Sequence, residues 1–229
     1  SYYDKYFAKQ ELTAFANLES VNNYSRIYQH DPLGMVTSFN PGSGTSAWGA
    51  NIYTAVEREA LGAVGFYALA PATKYTVKIY VGCSTASSGT APITGTLLAT
   101  QSGTVPSAGY VTVPLTKENQ VEVEKGQKFA VVLQLTTPEY YYPLALEGLV
   151  YTYDAYGNVV PCTSAMTASP GESYMSSNGS TWWDLATCFS NGGKYNFCCK
   201  AYTKSTSVQI TLTGVHVEGE GTLVAGQSA

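Results

Sequence analysis

Apolar and polar residues alternate with a period of two along several stretches of the chain. Val77, Ile79 and Val81 lie on one face of such a stretch, and Lys78 and Tyr80 lie on the other. Successive side chains of a β-strand point to opposite faces, so this spacing predicts a strand that is buried on one side. The same spacing recurs at 111–115, 121–123, 129–135 and 208–212. The chain is therefore predicted to be rich in half-buried strands.

Turns separate these stretches, and helical periodicity is scarce. Turn-forming sequences with Gly, Asn or Pro occur at 40–42, 88–89, 156–158, 177–179 and 191–193, and they bound strands of ordinary length. Residues 55–63 contain good helix formers, but the run is short and has no cap, so it allows one helical turn at most. We predict less than about 15% helix, against about one third in an average globular protein.

Many short strands between frequent turns indicate a sandwich or a barrel. We predict an all-β, jelly-roll-like sandwich of two antiparallel sheets. Its core should contain the largest side chains on the inward faces of the strands, namely Phe66, Val77, Ile79, Val111, Val113, Phe129, Val131 and Leu133.

Charged residues are few, and tyrosines are many. Only 12% of the 229 residues are charged, and 19 are tyrosine, whereas about a quarter of a typical soluble domain is charged. This surface composition is typical of exported β-rich proteins and predicts an extracellular protein. The net charge of −4 and the absence of a basic run argue against a nucleic-acid partner.

No apolar stretch approaches the length of about 18 residues that a membrane span requires. Residues 1–9 lack the layout of a signal peptide. We therefore expect any export signal to lie upstream of this sequence, which has the character of an excised piece of a longer protein.

The cysteines do not follow a metal-binding pattern. There is no C-x-x-C spacing, and His30 and His216 lie far from most cysteines in sequence, so we predict no metal site and no cofactor. Buried free thiols are the preferred interpretation. One disulfide within the group formed by Cys162, Cys188 and Cys198 or Cys199 is an alternative, and a strained bond between the adjacent Cys198 and Cys199 is a third. The five cysteines are Cys83, Cys162, Cys188, Cys198 and Cys199.

The chain contains no recognisable arrangement of catalytic residues. The chain has no Gly-x-Ser-x-Gly elbow, and its two histidines are better interpreted as hydrogen-bonded or solvent-facing than as catalytic bases. The carboxylates form no evident pair for glycoside hydrolysis. We predict that the chain has no catalytic residues.

Aromatic side chains next to amides and acids are the candidates for ligand binding. Flat rings stack against the C–H faces of sugars, while Asp and Asn hydrogen-bond to hydroxyl groups. The alternation within a strand requires that one of Trp182 and Trp183 points inward. The rings can instead fill the ends of the sandwich, an alternative that stays open. In order of preference, the candidates are Trp182, Trp183, Asp184 and Asn178, then His30 and Asp31, then Tyr140, Tyr141 and Tyr142; the pair Trp48 and Tyr53 with Asn51 is a further candidate.

Several motifs resemble the lectin-like domain that follows papain-type cysteine peptidase domains in secreted or cell-surface proteins of bacteria and archaea. The resemblance covers residues 24–204. It rests on YQHDPLG (28–34), WGANIYTA (48–55), EALGAVGFY (59–67), YTVKIY (75–80), GTLLA (95–99), AGYVTV (108–113), GQKFAVV (126–132), SYMSSNG (173–179), WDL (183–185) and CKAYT (199–203).

The resemblance implies three regions. Residues 1–23 would be the end of a preceding peptidase domain and a linker, since residues 1–4 are similar to the last strand of such a peptidase. Residues 24–204 would form the sandwich, and residues 205–229 a linker or the first strands of a following β-module. The implied function is a non-catalytic accessory domain whose partners are a glycan or cell-wall ligand and the peptidase domain in cis. A purely structural spacer is the alternative, and no ligand residues are carried over from the family.

Overall fold

The computed structural model describes residue 20 and residues 22–206, apart from 86–87, 150, 154–155, 157–158, 162–165 and 191. In these ranges no helix has both the length and the apolar character of a membrane span. The predicted strand at 208–212, His216 and Cys162 lie outside the described residues, as do almost all residues of the two predicted end regions. The division of the chain at 23 and 205 stays a prediction.

The described chain is built from short strands and two single 3₁₀ turns, which are Ala91–Ile93 and Lys117–Asn119. The strands are β1 (Arg26–Tyr28), β2 (Thr37–Phe39), β3 (Ser46–Thr54), β4 (Glu59–Ala68), β5 (Thr73–Val81), β6 (Ser88–Gly89), β7 (Thr96–Val105), β8 (Gly109–Pro114), β9 (Val121–Val123), β10 (Lys128–Thr136), β11 (Leu144–Gly148), β12 (Tyr151–Tyr153), β13 (Val159–Pro161), β14 (Ser173–Ser176), β15 (Trp182–Asp184), β16 (Tyr195–Phe197) and β17 (Cys199–Ser205).

Two large sheets pack face to face. One has seven strands in the order β6-β15-β14-β3-β10-β5-β7, and the other has the order β1-β17-β4-β8, with β9 also paired to β4. A small sheet, β16-β11-β2, and the pair β12-β13 complete the described strands. Within the two large sheets and the small ones, all the pairings are antiparallel. The all-β sandwich that the alternation predicts is confirmed.

The main core lies between the two large sheets. Seven of the eight predicted core side chains are buried there, namely Phe66, Val77, Ile79, Val113, Phe129, Val131 and Leu133. Val111 is only partly buried and packs against the margin of this cluster. Its strand, β8, is the last strand of its sheet, so one side of Val111 has no neighbouring strand to cover it.

A second core covers the outer face of the seven-stranded sheet. The segment between β5 and β7, with its 3₁₀ turn, lies over the centre of β3 and β10. Consecutive residues of these strands are therefore buried on both faces, which the alternation did not predict. The buried members of this core are Ala50, Ile52, Cys83, Ala91, Ala130, Val132, Tyr174 and Trp182.

Cys83, Cys188, Cys198 and Cys199 are free thiols. Cys83, Cys198 and Cys199 are buried, as the preferred interpretation of the sequence has it, whereas Cys188 is only partly buried. A disulfide between Cys188 and either adjacent cysteine, or between Cys198 and Cys199, is wrong. Burial raises the pKa of the Cys188 thiol to about 11, so this thiol stays protonated and unreactive at neutral pH.

The first strand is fixed to the sheet by a buried carboxylate. Glu59, at the start of β4, accepts hydrogen bonds from the Tyr28 hydroxyl at 2.5 Å and from the Thr203 hydroxyl. Arg26 lies 3.3 Å from the same carboxylate. Since β1, β4 and β17 all contribute to this cluster, it sets the position of the segment that follows β1.

Candidate functional site

The two adjacent tryptophans of β15 point in opposite directions. Trp182 is fully buried in the outer core, whereas 37% of Trp183 is exposed. Trp183 pairs with Met175 of β14 and with Ser88 of β6, near one edge of the seven-stranded sheet. The two side chains follow the predicted alternation, and Trp183 is the ring that a ligand can reach.

Trp183 lines a shallow concavity of about 300 Å³, which we call the Trp183 groove. Two of its rings, Phe39 and Phe189, pack edge to face with centroids 5.4 Å apart, which gives the groove a rigid aromatic side. Among the residues that the structure describes, no charged side chain lines it, so a ligand must be held by ring contacts and neutral hydrogen bonds. The lining residues are Phe39, Asn40, Pro41, Met175, Trp183, Cys188 and Phe189.

Asn40 connects this groove to the tyrosine segment 140–142. Its Nδ2 donates to the carbonyl of Gly44 at 2.9 Å and to the carbonyl of Tyr141 at 2.8 Å, and its Oδ1 accepts from the amide of Gly42 at 2.9 Å. The amide therefore builds the loop and has little capacity left for a ligand. The rings of Tyr141 and Tyr142 are 63% and 53% exposed, and the backbone of Tyr141 is linked to the groove through Asn40.

Tyr140 is less accessible to a ligand than Tyr141 and Tyr142. Its hydroxyl lies 2.8 Å from the hydroxyl of Ser38 on β2, and its ring packs edge to face with Tyr142 at 6.0 Å. Tyr140 therefore orients the ring of Tyr142, and the exposed surface belongs mainly to the other two tyrosines.

Asn178 and Asp184 hold the backbone around Trp183. The Asn178 Oδ1 accepts from the amides of Ser180 and Thr181, each at 2.9 Å, as in an Asx turn. The buried carboxylate of Asp184 accepts from the amides of Gly171 at 2.7 Å and Ala186 at 2.9 Å. Burial raises the pKa of Asp184. These side chains position the ring of Trp183 and leave ligand contact to the ring.

Trp48, Asn51 and Tyr53 contribute to packing. Asn51 is fully buried and donates to the carbonyls of Phe197 at 2.9 Å and Cys199 at 3.0 Å, which ties β3 to the strands opposite. Trp48 packs partly against the outer core. The structure therefore does not bring these three together as a surface.

His30 lines a larger and more polar concavity of about 480 Å³, the His30 groove. Its imidazole stacks on the Tyr53 ring at a centroid distance of 4.8 Å, and its Nε2 lies 2.9 Å from the carbonyl oxygen of Ile52. Its Nδ1 is 3.8 Å from Glu172 Oε2. The lining side chains with polar groups are Tyr28, Gln29, His30, Tyr53, Thr54, Thr85, Lys128 and Glu172.

Asp31 points away from this groove into the protein. It is fully buried and pairs with Lys200, whose Nζ is 2.9 Å from Oδ2. Burial raises the pKa of Asp31, and the Lys200 ammonium offsets part of that effect. This pair fixes the segment after β1 against β17, so of His30 and Asp31 only the histidine faces a concavity.

Glu172 and the polar wall around it are the functional candidates that the sequence did not indicate. Glu172 lies just before β14, far from His30 along the chain, and carries no local motif. Only the sheet pairing brings them together, since the Ile52 amide donates to the Glu172 carbonyl at 2.8 Å. Over the residues that the structure describes, no group of three or more His, Cys, Asp or Glu is arranged to hold a metal ion.

Comparison with known proteins finds one matching family model. A model described as a lectin-like domain matches residues 27–203, which is most of the chain. A comparison with curated protein sequences finds no significant match.

Two solved structures of the clostridial cysteine protease Cwp84 are similar to this chain. The structure determined after propeptide cleavage is 26% identical, with a TM-score of 0.54, over 79% of this chain and 40% of that one. The structure of the cysteine protease and lectin-like domains of Cwp84, a surface-layer-associated protein of Clostridium difficile, is 27% identical, with a TM-score of 0.50, over 72% and 33%. This chain therefore spans less than half the length of the proteins it matches.

Proposed function

The chain belongs to the lectin-like domain family, and we propose that it is a non-catalytic accessory domain that binds carbohydrate outside the cell. The similar solved structures carry a cysteine protease domain and a lectin-like domain in one protein. We extend this arrangement to the present chain, so that a peptidase domain in cis is its partner. The domain would then hold the peptidase at a glycan-covered or cell-wall surface.

One observation carries the proposal: Trp183 is 37% exposed in a neutral groove that the rings of Phe39 and Phe189 also line. Three aromatic rings in one concavity suit a saccharide, because each pyranose ring has an apolar C–H face. Trp183 lies on β15, which pairs with β14 and with β6, so its backbone is already ordered before a sugar stacks on the ring.

The binding energy must come mainly from stacking. The described part of the chain places no charged residue along the Trp183 groove, so ion pairs contribute little there. An aromatic ring that a ligand fully desolvates contributes on the order of 1.5–3 kcal/mol. A neutral polysaccharide therefore fits this groove better than a highly charged one.

Replacing Trp183 with alanine is expected to weaken carbohydrate binding by about tenfold to a hundredfold while the fold stays intact. Affinity is measured by calorimetric titration of the whole chain with bacterial wall polysaccharides and mucin glycans that a glycan array has first selected. Leu98→Ala is the matched control, because Leu98 is 52% exposed on β7, at the opposite edge of the same sheet. If Trp183→Ala and the control bound carbohydrate equally well, the binding site would lie elsewhere on the domain.

The structural spacer is the second candidate function. It is favoured by the hydrogen bonds of Asn40, Asn178 and Asp184, which all serve the protein's own loops. In that case the Trp183 groove would pack on a neighbouring domain. If the wild-type chain binds no saccharide at millimolar concentration, the spacer function stands and the carbohydrate proposal fails.

A further inference from the structure

We propose that the His30 groove is a second and separate binding site, which accepts the ammonium group of an amino sugar between His30 and Glu172. The inference does not depend on the Trp183 groove. The two concavities lie at different levels of β3, one near Ile52–Thr54 and the other near Gly49, which is opposite Met175.

The hydrogen bond to Ile52 sets the protonation of the neutral imidazole. A carbonyl oxygen can only accept, so Nε2 of His30, 2.9 Å from it, carries the hydrogen. In the neutral ring Nδ1 then carries a lone pair. This nitrogen is the atom that faces Glu172 across the groove.

Two hydrogen-bond acceptors therefore face each other. Nδ1 of His30 and Oε2 of Glu172 are 3.8 Å apart. Oε2 also accepts from the amide of Ser169 at 3.1 Å. That amide fixes the position of the carboxylate next to the imidazole.

A donor with at least two hydrogens fits this pair. An atom placed about 2.8–3.0 Å from both acceptors has good hydrogen-bond distances to each. An ammonium group can donate to both at once, and its charge strengthens the bond to the carboxylate. A hydroxyl group has one hydrogen and can satisfy only one of them.

The remaining wall suits a hydroxylated ring that carries this amine. Gln29, Thr54, Thr85 and Lys128 place amide, hydroxyl and ammonium groups around the groove, and these can bond to sugar hydroxyls. The volume of about 480 Å³ lies in the range of about 300–1,000 Å³ for small-molecule sites. The combined requirement for one amine and several hydroxyls indicates an amino sugar.

The test is NMR titration of the whole chain with methyl β-glucosaminide, followed at the His30 ring. Saturable shifts of the His30 ring signals are expected with this probe. N-acetylation removes the cationic amine, so the N-acetylated probe and methyl β-glucoside should each bind at least about fivefold more weakly. Lysine methyl ester, an amine without a sugar ring, should also bind more weakly.

Glu172→Gln should lower the affinity for the amine at least about fivefold. The glutamine oxygen still accepts from Ser169, so the fold is kept. The exposed Glu118→Gln serves as the matched control, and Trp183→Ala should leave these shifts unchanged. The proposal is overturned if the amine and its N-acetylated form bind equally, if Glu172→Gln binds like the control, or if lysine methyl ester binds as tightly as the amino sugar.

Discussion

Replacing Phe129 with alanine is expected to lower the free energy of unfolding by about 3–5 kcal/mol. Phe129 is fully buried on β10, where it faces the sheet opposite. Its ring packs against Tyr28 at 5.3 Å and Tyr53 at 5.5 Å between centroids. Truncation therefore leaves a cavity lined by rigid aromatic rings, which cannot collapse to fill it.

Denaturant unfolding of the purified chain measures this effect. Gln134→Ala on the same strand is the control, since Gln134 is partly exposed and should change the unfolding free energy by less than about 0.5 kcal/mol. If Phe129→Ala were as stable as the control, the register of β10 would be shifted by one residue, because such a shift moves every side chain to the other face.

Replacing Lys200 with methionine is expected to lower the free energy of unfolding by about 3–5 kcal/mol at neutral pH, because Asp31 is left as a buried charge without its partner. Lys200 Nζ lies 2.9 Å from the Asp31 carboxylate and also bonds to Gln29 Oε1 at 2.6 Å and to the Asp31 carbonyl at 3.0 Å. The thermal midpoint of the variant should fall accordingly.

The stability lost in Lys200→Met should become smaller at low pH, and the direction of this change follows from the pKa of Asp31. Burial raises that pKa above its ordinary value of 3.8, so between the two values the folded chain binds more protons than the unfolded chain. Stability of the wild type therefore falls as pH rises through this interval. Without Lys200 the folded pKa rises further. Relative to the wild type, the variant then loses the most stability at pH values above the raised pKa. It loses the least near and below pH 3.8, where Asp31 is protonated.

Thermal unfolding at a series of pH values checks this result. The exposed Lys74→Met is the matched control and should have little effect at any pH. Adding Asp31→Asn to Lys200→Met should recover part of the loss, since the buried charge is then gone. If the stability lost in Lys200→Met did not change with pH, or if Asp31→Asn did not restore part of it, lost packing rather than the unpaired charge of Asp31 would be responsible.

The alternation of apolar and polar residues correctly predicted which side chains of β5 and β10 face the main core, because the apolar positions of both strands lie on that face. It could not predict the outer core. In β3, Ala50, Asn51 and Ile52 are all buried, so the sequence shows no period of two there. The cover comes from the segment that ends β5 and leads to β7, and nothing in β3 itself indicates that this segment folds back across it.

The candidate site was predictable only in part. Adjacent tryptophans in a short strand indicated one exposed ring, and Trp183 is that ring. The walls of its groove come from Phe39 on β2 and Phe189 after β15, which a small third sheet brings together. In the same way His30 was chosen as a polar residue after a strand, but its partner Glu172 follows from the antiparallel pairing of β3 and β14. Long-range pairing of this kind leaves no local pattern.

The most direct test of carbohydrate binding follows the indole N–H resonances of the three tryptophans during titration with a wall polysaccharide that the chain binds. The Trp183 resonance should move with saturation, while the Trp182 resonance should stay in place because that ring is fully buried. A stationary Trp183 resonance in the presence of bound polysaccharide would contradict carbohydrate binding at this ring.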